Sequence, residues 1–177
     1  MTKPSKASNV LITGMPEVGK TTLIRRLAER LAIRRPMGFY TEEIRQSGVR
    51  RGFELVTFDG RRRILSHVDI AGPYRVGKYG VDVGGFEAFL DELDLDTAGE
   101  GVVIIDEIGK MECFSRRFVT LVQTLLDSPR SVIATVALKG GGLIAEVRRR
   151  PDARIFTVTA ANRDSLAAEI TAYIEGH

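Results

Sequence analysis

Along this chain the apolar residues change period several times, and each change marks a different kind of element. Val10-Leu11-Ile12 is an uninterrupted apolar run, as a buried strand requires. After it Leu23, Leu27 and Leu31 recur at helical spacing, with Arg25, Arg26, Glu29 and Arg30 between them, which predicts a helix from Gly19 to about Ala32. Arg34-Arg35-Pro36 ends it, because proline cannot continue a helical hydrogen-bond ladder. From Gly38 to Val68 the period becomes two. Phe39, Thr41, Glu43 and Arg45 alternate with Tyr40, Glu42 and Ile44, and Phe53, Leu55 and Thr57 with Glu54, Val56 and Phe58. Turn signals at Gln46-Ser47-Gly48 and Asp59-Gly60 make this an antiparallel meander, with a tight hairpin at Asp59-Gly60, that extends or flanks the main sheet.

The segment from Gly72 to Gly85 is glycine-rich and reads as irregular chain on the surface, followed by a short helix, about Phe86 to Leu93, and a polar connection, Asp94 to Gly101. Val102-Val103-Ile104-Ile105-Asp106 reads as a central parallel strand ending in a carboxylate. A helix from about Ser115 to Leu126 and a strand from Val132 to Leu138 follow. Gly140-Gly141-Gly142 then breaks the chain before a basic helix, about Leu143 to Arg149, that stops near Pro151. Arg154 to Thr159 is the last predicted strand, and Asn162 is expected to cap a final helix reaching about Ile174. Strand and helix alternate, so the expected class is α/β: three layers, a mostly parallel sheet flanked by helices, with the meander inserted. Residues 1–177 make one domain on this reading, with 1–8 as a short disordered lead.

The first candidate site lies between the first strand and the first helix. Gly14-Met15-Pro16-Glu17-Val18-Gly19-Lys20-Thr21 matches the phosphate-loop pattern G-x-x-x-x-G-K-[ST], and Thr22 follows it. Glycines let successive backbone N–H groups turn inward around phosphate oxygens, and the positive end of the helix adds to their field. Lys20 is expected to reach the β- and γ-phosphates and Thr21 to hold Mg²⁺ through its hydroxyl. Asp106 and Glu107 form the second site. A carboxylate closing an apolar strand is the usual partner of a phosphate loop and would share the metal, while Glu107 would orient and deprotonate a water in line with the γ-phosphate.

Composition adjusts this picture only slightly. With 44% hydrophobic and 28% charged residues the 177-residue chain is ordinary for a globular protein, and its net charge of +3 suits a polyanionic ligand without pointing to nucleic acid. Cys113 is the only cysteine, which excludes a disulfide framework or thiolate zinc site, and His67 and His177 lack metal-site spacing. No apolar run approaches a membrane span and the N-terminus lacks a secretory core, so a cytoplasmic monomer that binds nucleoside triphosphates is expected.

The acidic pair also opens a longer block. Asp106-Glu107-Ile108-Gly109-Lys110-Met111-Glu112 resembles the signature of the small nucleoside-triphosphatases of the cancer-related and thermophile type. Gly38 to Arg45 with Arg51-Gly52-Phe53, then Tyr74-Arg75-Val76-Gly77-Lys78-Tyr79, then Asn162-Arg163-Asp164 resemble that family's other blocks, in the same order. The resemblance covers nearly the whole chain. It implies a phosphate-loop fold of the additional-strand, RecA-like class and Mg²⁺-dependent hydrolysis of triphosphates with broad base preference. It also matches Glu107 to the family's catalytic carboxylate. A nucleotide or polynucleotide kinase, with an acceptor hydroxyl in place of water, is the alternative; a nucleotide-dependent binding module with slow hydrolysis is another. Two residues depart from the family pattern: Glu17 stands where glycine is common, and Cys113, where an aliphatic residue is usual, reads as a small core residue.

Other positions keep two readings. Lys110 either compensates the acidic pair and touches the γ-phosphate or is a plain surface lysine. Arg75 or Lys78 supplies a cation to the transition state or is a solvated loop charge, and Arg148 to Arg150 form a lid or a wet helix face. Asn162 and Arg163 flank the base, with Asn162 also a helix cap. The guanine-reading N-K-x-D pattern is absent, since Asn162 opens Asn-Arg-Asp-Ser.

Overall fold

The computed structural model describes residues 9–97 and 99–177; the expected lead at 1–8 lies outside them. The strands are β1 (Asn9–Thr13), β2 (Met37–Gln46), β3 (Val49–Thr57), β4 (Arg62–His67), β5 (Arg75–Val76), β6 (Tyr79–Val81), β7 (Val103–Ile108), β8 (Val132–Val136) and β9 (Ala153–Thr157). The α-helices are α1 (Lys20–Arg30), α2 (Val83–Leu93), α3 (Arg116–Asp127), α4 (Gly142–Arg148) and α5 (Leu166–Glu175). All nine strands join one sheet in the order β5-β6-β4-β3-β2-β7-β8-β1-β9.

That sheet has two halves. Strands β2, β7, β8, β1 and β9 pair in parallel, and β8 stands between the strand that feeds the phosphate loop and the strand that ends in Asp106. This is the additional strand that the family resemblance implies. From β2 outward every pairing is antiparallel. The sheet is therefore mixed rather than mostly parallel, because the meander pairs edge to edge with the core and lengthens it.

Burial follows the period of each run. Leu11, Val103 and Ile105 face a core shared with α2, α3 and α4, while Val10, Ile12, Val102 and Ile104 face α1 and α5. Each such side chain, wholly removed from water, contributes about 1.5–3 kcal/mol. In the meander one face is covered by α2, and the other only at its inner end, where Tyr40 and Phe58 pack on the core under α1. Phe39 meets Phe86 and Phe89 of α2 edge-on, with ring centroids 6.1 and 5.7 Å apart, and Leu55 and Leu65 pack beside it. On the other face Arg62 bridges Glu42 and Glu54, and Arg25 of α1 lies over the Tyr40 ring, 5.3 Å from its centroid. The join between the halves depends on Gly38, whose φ is +123°. A Cβ there would sit 1.9 Å from the Ile104 carbonyl oxygen, so only glycine lets β2 approach β7.

Three segments differ from expectation. Gly72 to Gly85 is not irregular throughout: β5 and β6 form a hairpin on β4, and α2 begins at Val83 with the Asp82 side chain accepting from the Gly85 N–H. The first helix stops at Arg30, and a 3-10 turn over Ala32–Arg34 leads to Arg35 in a left-handed conformation. Asn162 does not cap the last helix, which starts four residues later with Ser165 at its cap position. No α-helix among the described residues is long and apolar enough to cross a membrane.

Candidate active site

The loop after β1, the ends of β7 and β8 and the inner face of the meander enclose one cavity of about 650 Å³. Gly14, Pro16, Glu17, Gly19, Lys20, Thr21 and Thr22 line one side of it, and Asp106, Glu107 and Lys110 the other. Lys20 Nζ donates to the carbonyl oxygens of Gly14 (2.8 Å) and Met15 (3.2 Å), so its ammonium lies over the mouth of the loop. Met15 and Val18 do not line the cavity: Met15 is 66% exposed, while Val18 packs inward on the core under α1. Glu17 has φ of +62°. A side chain in this left-handed conformation costs about 1–2 kcal/mol, which a glycine would not incur. The Glu17 carboxylate is exposed.

Asp106 ties the two motifs together. It is 2% exposed, and its Oδ2 accepts from the Thr21 hydroxyl at 2.7 Å and from the N–H and hydroxyl of Thr41, both at 3.4 Å. Its Oδ1 accepts from Thr135 of β8 at 2.7 Å. Three threonines from three elements thus orient one carboxylate, and two of them, Thr41 and Thr135, were missed by sequence reasoning. In sequence both look like ordinary β-branched strand residues; only the register of β2 and β8 on β7 brings them to Asp106.

The end of β7 is irregular. Ile105 pairs with Ala134 and Ile108 with Val136, so β7 carries one residue more than β8 across this step. Strict alternation would send Asp106 and Glu107 to opposite faces; the extra residue re-aims the backbone, and both line the cavity. Burial, then the neighbouring Asp106 charge, raise the pKa of Glu107 above the usual carboxylate range, and Lys20 opposes them. Glu112, five residues on, is 5% exposed and also lines the cavity. Its carboxyl is pushed up to about 8 by burial and by Glu107. Sequence reasoning gave Glu112 no role, although its place in the acidic block was visible.

The remaining candidates divide. Lys110 is exposed on the cavity wall. Arg163 lies beside the loop, its Cδ 3.7 Å from where a Cβ on Gly19 would be. Asn162 is spent on its own turn, accepting from the Thr159 N–H and donating to the Thr157 carbonyl oxygen, both at 2.8 Å. Arg75 donates to the carbonyl oxygens of Ile70 and Lys78, and Lys78 Nζ lies over the Tyr79 ring; neither lines the cavity. The arginine run after the triglycine is anchored as well. Arg148 donates to Thr13 Oγ1 and the Ala137 carbonyl oxygen, and Arg150 pairs with Asp127 and Asp152, so these two do not form a free lid. Cys113 is half-buried against the core, as read from the sequence, and its thiol is pushed up to about 11 by burial and by Glu112.

This arrangement has known counterparts. A family model described as NTPase matches residues 9–171. The chain belongs to this nucleoside-triphosphatase family. The nucleoside-triphosphatase THEP1 of Thermotoga sp. (strain RQ2) is 41% identical, over 94% of this chain and 95% of the relative. The human cancer-related nucleoside-triphosphatase is also 41% identical, over 96% and 97%. The crystal structure of THEP1 from the hyperthermophile Aquifex aeolicus superposes with a TM-score of 0.83 at 37% identity, covering 94% of this chain and 99% of that one. The solution structure of the human protein gives 0.80 at 40%, covering 96% and 98%. Membership in the NTPase family and a phosphate-loop α/β fold therefore stand on sequence and structure together.

Proposed function

We propose that the protein hydrolyses nucleoside triphosphates to the diphosphate and phosphate, at the cavity between the phosphate loop and the end of β7, with Mg²⁺. The observation that carries this reading is the 2.7 Å hydrogen bond from Thr21 to Asp106, which joins loop and strand end, with Glu107 beside it on the same wall. Thr21 and Asp106 offer the hard oxygen donors that Mg²⁺ prefers. Among the described residues no cluster of three or more histidine, cysteine or acidic side chains is arranged to hold a metal. A divalent ion here would therefore take the rest of its ligands from phosphate oxygens and water, and when bound it would neutralise charge on the β- and γ-phosphates.

The chain's own residues supply positioning and proton transfer. Loop N–H groups and Lys20 hold the phosphate oxygens and stabilise the charge that builds on them. Glu107 accepts hydrogen bonds from the attacking water and takes its proton as the bond to phosphorus forms. A raised pKa brings its basicity nearer to neutral pH, where a general base works best. Lys110 adds a cation at the rim. Asn162 is committed to its turn and so is not free to read the base, which favours broad base preference.

One observation favours a second reading. The cavity continues past Glu107 to Arg50, Phe53 and Leu65, room that water alone does not need and an acceptor hydroxyl would use. Phosphate release from ATP, GTP, CTP and UTP, with and without Mg²⁺, tests the proposal. Comparable metal-dependent release from all four is expected. Label from the γ-phosphate appearing on an added nucleoside or nucleotide, with little free phosphate, would replace hydrolysis by transfer.

A further inference from the structure

Phosphoryl transfer draws on cations around the γ-phosphate, and the two that sequence reasoning offered, Arg75 and Lys78, do not line the cavity. Four other cationic side chains do: Lys20, Arg50, Lys110 and Lys139. Two of these are engaged within the protein. Lys20 donates to loop carbonyl oxygens, and Arg50 donates to Glu43 and to the Tyr79 hydroxyl, both at 2.9 Å. The Lys110 and Lys139 side chains are exposed and have no hydrogen-bond or ion-pair partner among the described residues.

Lys139 has the more central place. β8 stands between β1, which feeds the phosphate loop, and β7, which ends in Asp106 and Glu107. Ligands of an open α/β sheet sit outside the carboxyl ends of its strands. The chain leaving β8 therefore emerges between the group that holds phosphate and the group that holds water, and Ala137, Leu138 and Lys139 all line the cavity there. This segment is tied down on both sides. The Ala137 N–H donates to the Ile108 carbonyl oxygen at 3.1 Å, and the Ala137 carbonyl oxygen accepts from Arg148, which also donates to Thr13 just before the phosphate loop. Gly140, with φ of +153°, then turns the chain away: a Cβ there would lie 2.6 Å from Cδ1 of the buried Ile144 in α4. Lys139 is thus the last residue held at the cavity before the turn.

We propose that Lys139 is a catalytic residue whose ammonium meets the γ-phosphoryl oxygens and stabilises the charge that builds as the bond to the β–γ bridging oxygen breaks. This rests on the reading of the cavity as a triphosphate hydrolysis site. The electron pair of the broken bond leaves with the diphosphate, the water oxygen bonds to phosphorus and its proton goes to Glu107, so Lys139 exchanges no atom. Its long stem carries the ammonium as a mobile point charge, which suits charge spread over three oxygens. A cation matched to charge that develops in the transition state acts on kcat more than on nucleotide binding. In the sequence a lysine before three glycines looks like ordinary loop; only the place of β8 between β1 and β7 brings it to the phosphates.

Lys139→Met removes the charge and keeps most of the stem, at an exposed position where the fold does not depend on it. With ATP and Mg²⁺, kcat for loss of the γ-phosphate is expected to fall about 10²-fold or more, while affinity for a non-hydrolysable ATP analogue stays within about fivefold of the wild type. Calorimetry with ADP, Mg²⁺ and tetrafluoroaluminate, a mimic of the phosphoryl group in transit, gives a readout that needs no turnover. The wild type is expected to bind ADP more tightly with the mimic than without it, and the variant to lose most of that gain. Wild-type kcat in Lys139→Met overturns the proposal, and so does an undiminished gain with the mimic. A loss of analogue affinity as large as the loss of rate overturns it too, since Lys139 would then hold the ground state. The two readings fail separately. If the wild type removes γ-phosphate from no triphosphate, the hydrolysis reading falls and this proposal with it; if the wild type turns over and Lys139→Met matches it, only the role of Lys139 falls.

Discussion

The two halves of the sheet are built from the same backbone ladder and face water differently. The central strands of the parallel half, β1, β7 and β8, are covered on both sides, by α1 and α5 on one and α2 to α4 on the other, so they are apolar until they reach the cavity. The antiparallel half is covered by α2 on one face and carries Glu42, Glu54 and Arg62 on the other. The central strands β1, β7 and β8 therefore display polar chemistry only toward their ends, and Thr13, Asp106 and Thr135 lie at the ends that reach the cavity. A strand in the second half displays it at every other residue. The difference explains the division of work. The ends of parallel strands place the loop and the carboxylates with little freedom, while the meander supplies the far wall of the cavity through Thr41, Glu43, Arg50 and Phe53.

Truncating the covered face of the meander is the most severe way to probe this contrast. Phe39→Ala, which removes a ring buried against Phe86 and Phe89, is expected to cost about 3–5 kcal/mol in chemical denaturation. A cost under about 1 kcal/mol would mean that α2 does not anchor the meander.

Smaller, and of opposite sign in the two halves, are the pH dependences. Glu112 has its pKa raised to about 8, so its contribution to stability is fully present below about 4.5 and lost as pH rises through about 8. Glu43 of the meander is lowered, first by its hydrogen bond from Arg50, so its contribution is present above the ordinary carboxylate pKa and lost as pH falls. Denaturation midpoints measured across pH are expected to show a shallower alkaline decline in Glu112→Gln than in the wild type. Identical alkaline slopes would mean that Glu112 is ionised in the fold. The least effect is expected from Glu54→Ala on the open face, whose stability should match the wild type within error because its partner Arg62 is exposed.

How far the chain was legible follows the same division. Val10 to Thr13 and Val102 to Asp106 are readable because a strand buried on both faces has no room for a polar residue before its end. The meander is readable because Phe39 to Arg45 and Phe53 to Phe58 alternate. The hairpin of β5 and β6 is not, since strands as short as Arg75–Val76 and Tyr79–Val81 carry no period. Thr41 and Thr135 were hidden for another reason: their use depends on register, and a threonine in a strand looks the same whether or not a carboxylate lies beside it. Asn162 misled because a turn that spends the side chain on its own backbone resembles a helix cap three or four residues early. Glu112 left one signal, a glutamate three residues beyond a glycine in an otherwise buried stretch, which packing alone does not favour.

The central claim is that Glu107 activates the nucleophile at a site that binds nucleotide without its help. Phosphate release and nucleotide affinity measured side by side in Glu107→Gln test it most directly. The account predicts a fall of about 10²–10⁴ in kcat with affinity for ATP unchanged. Turnover at the wild-type rate, or a loss of affinity as large as the loss of rate, would contradict it.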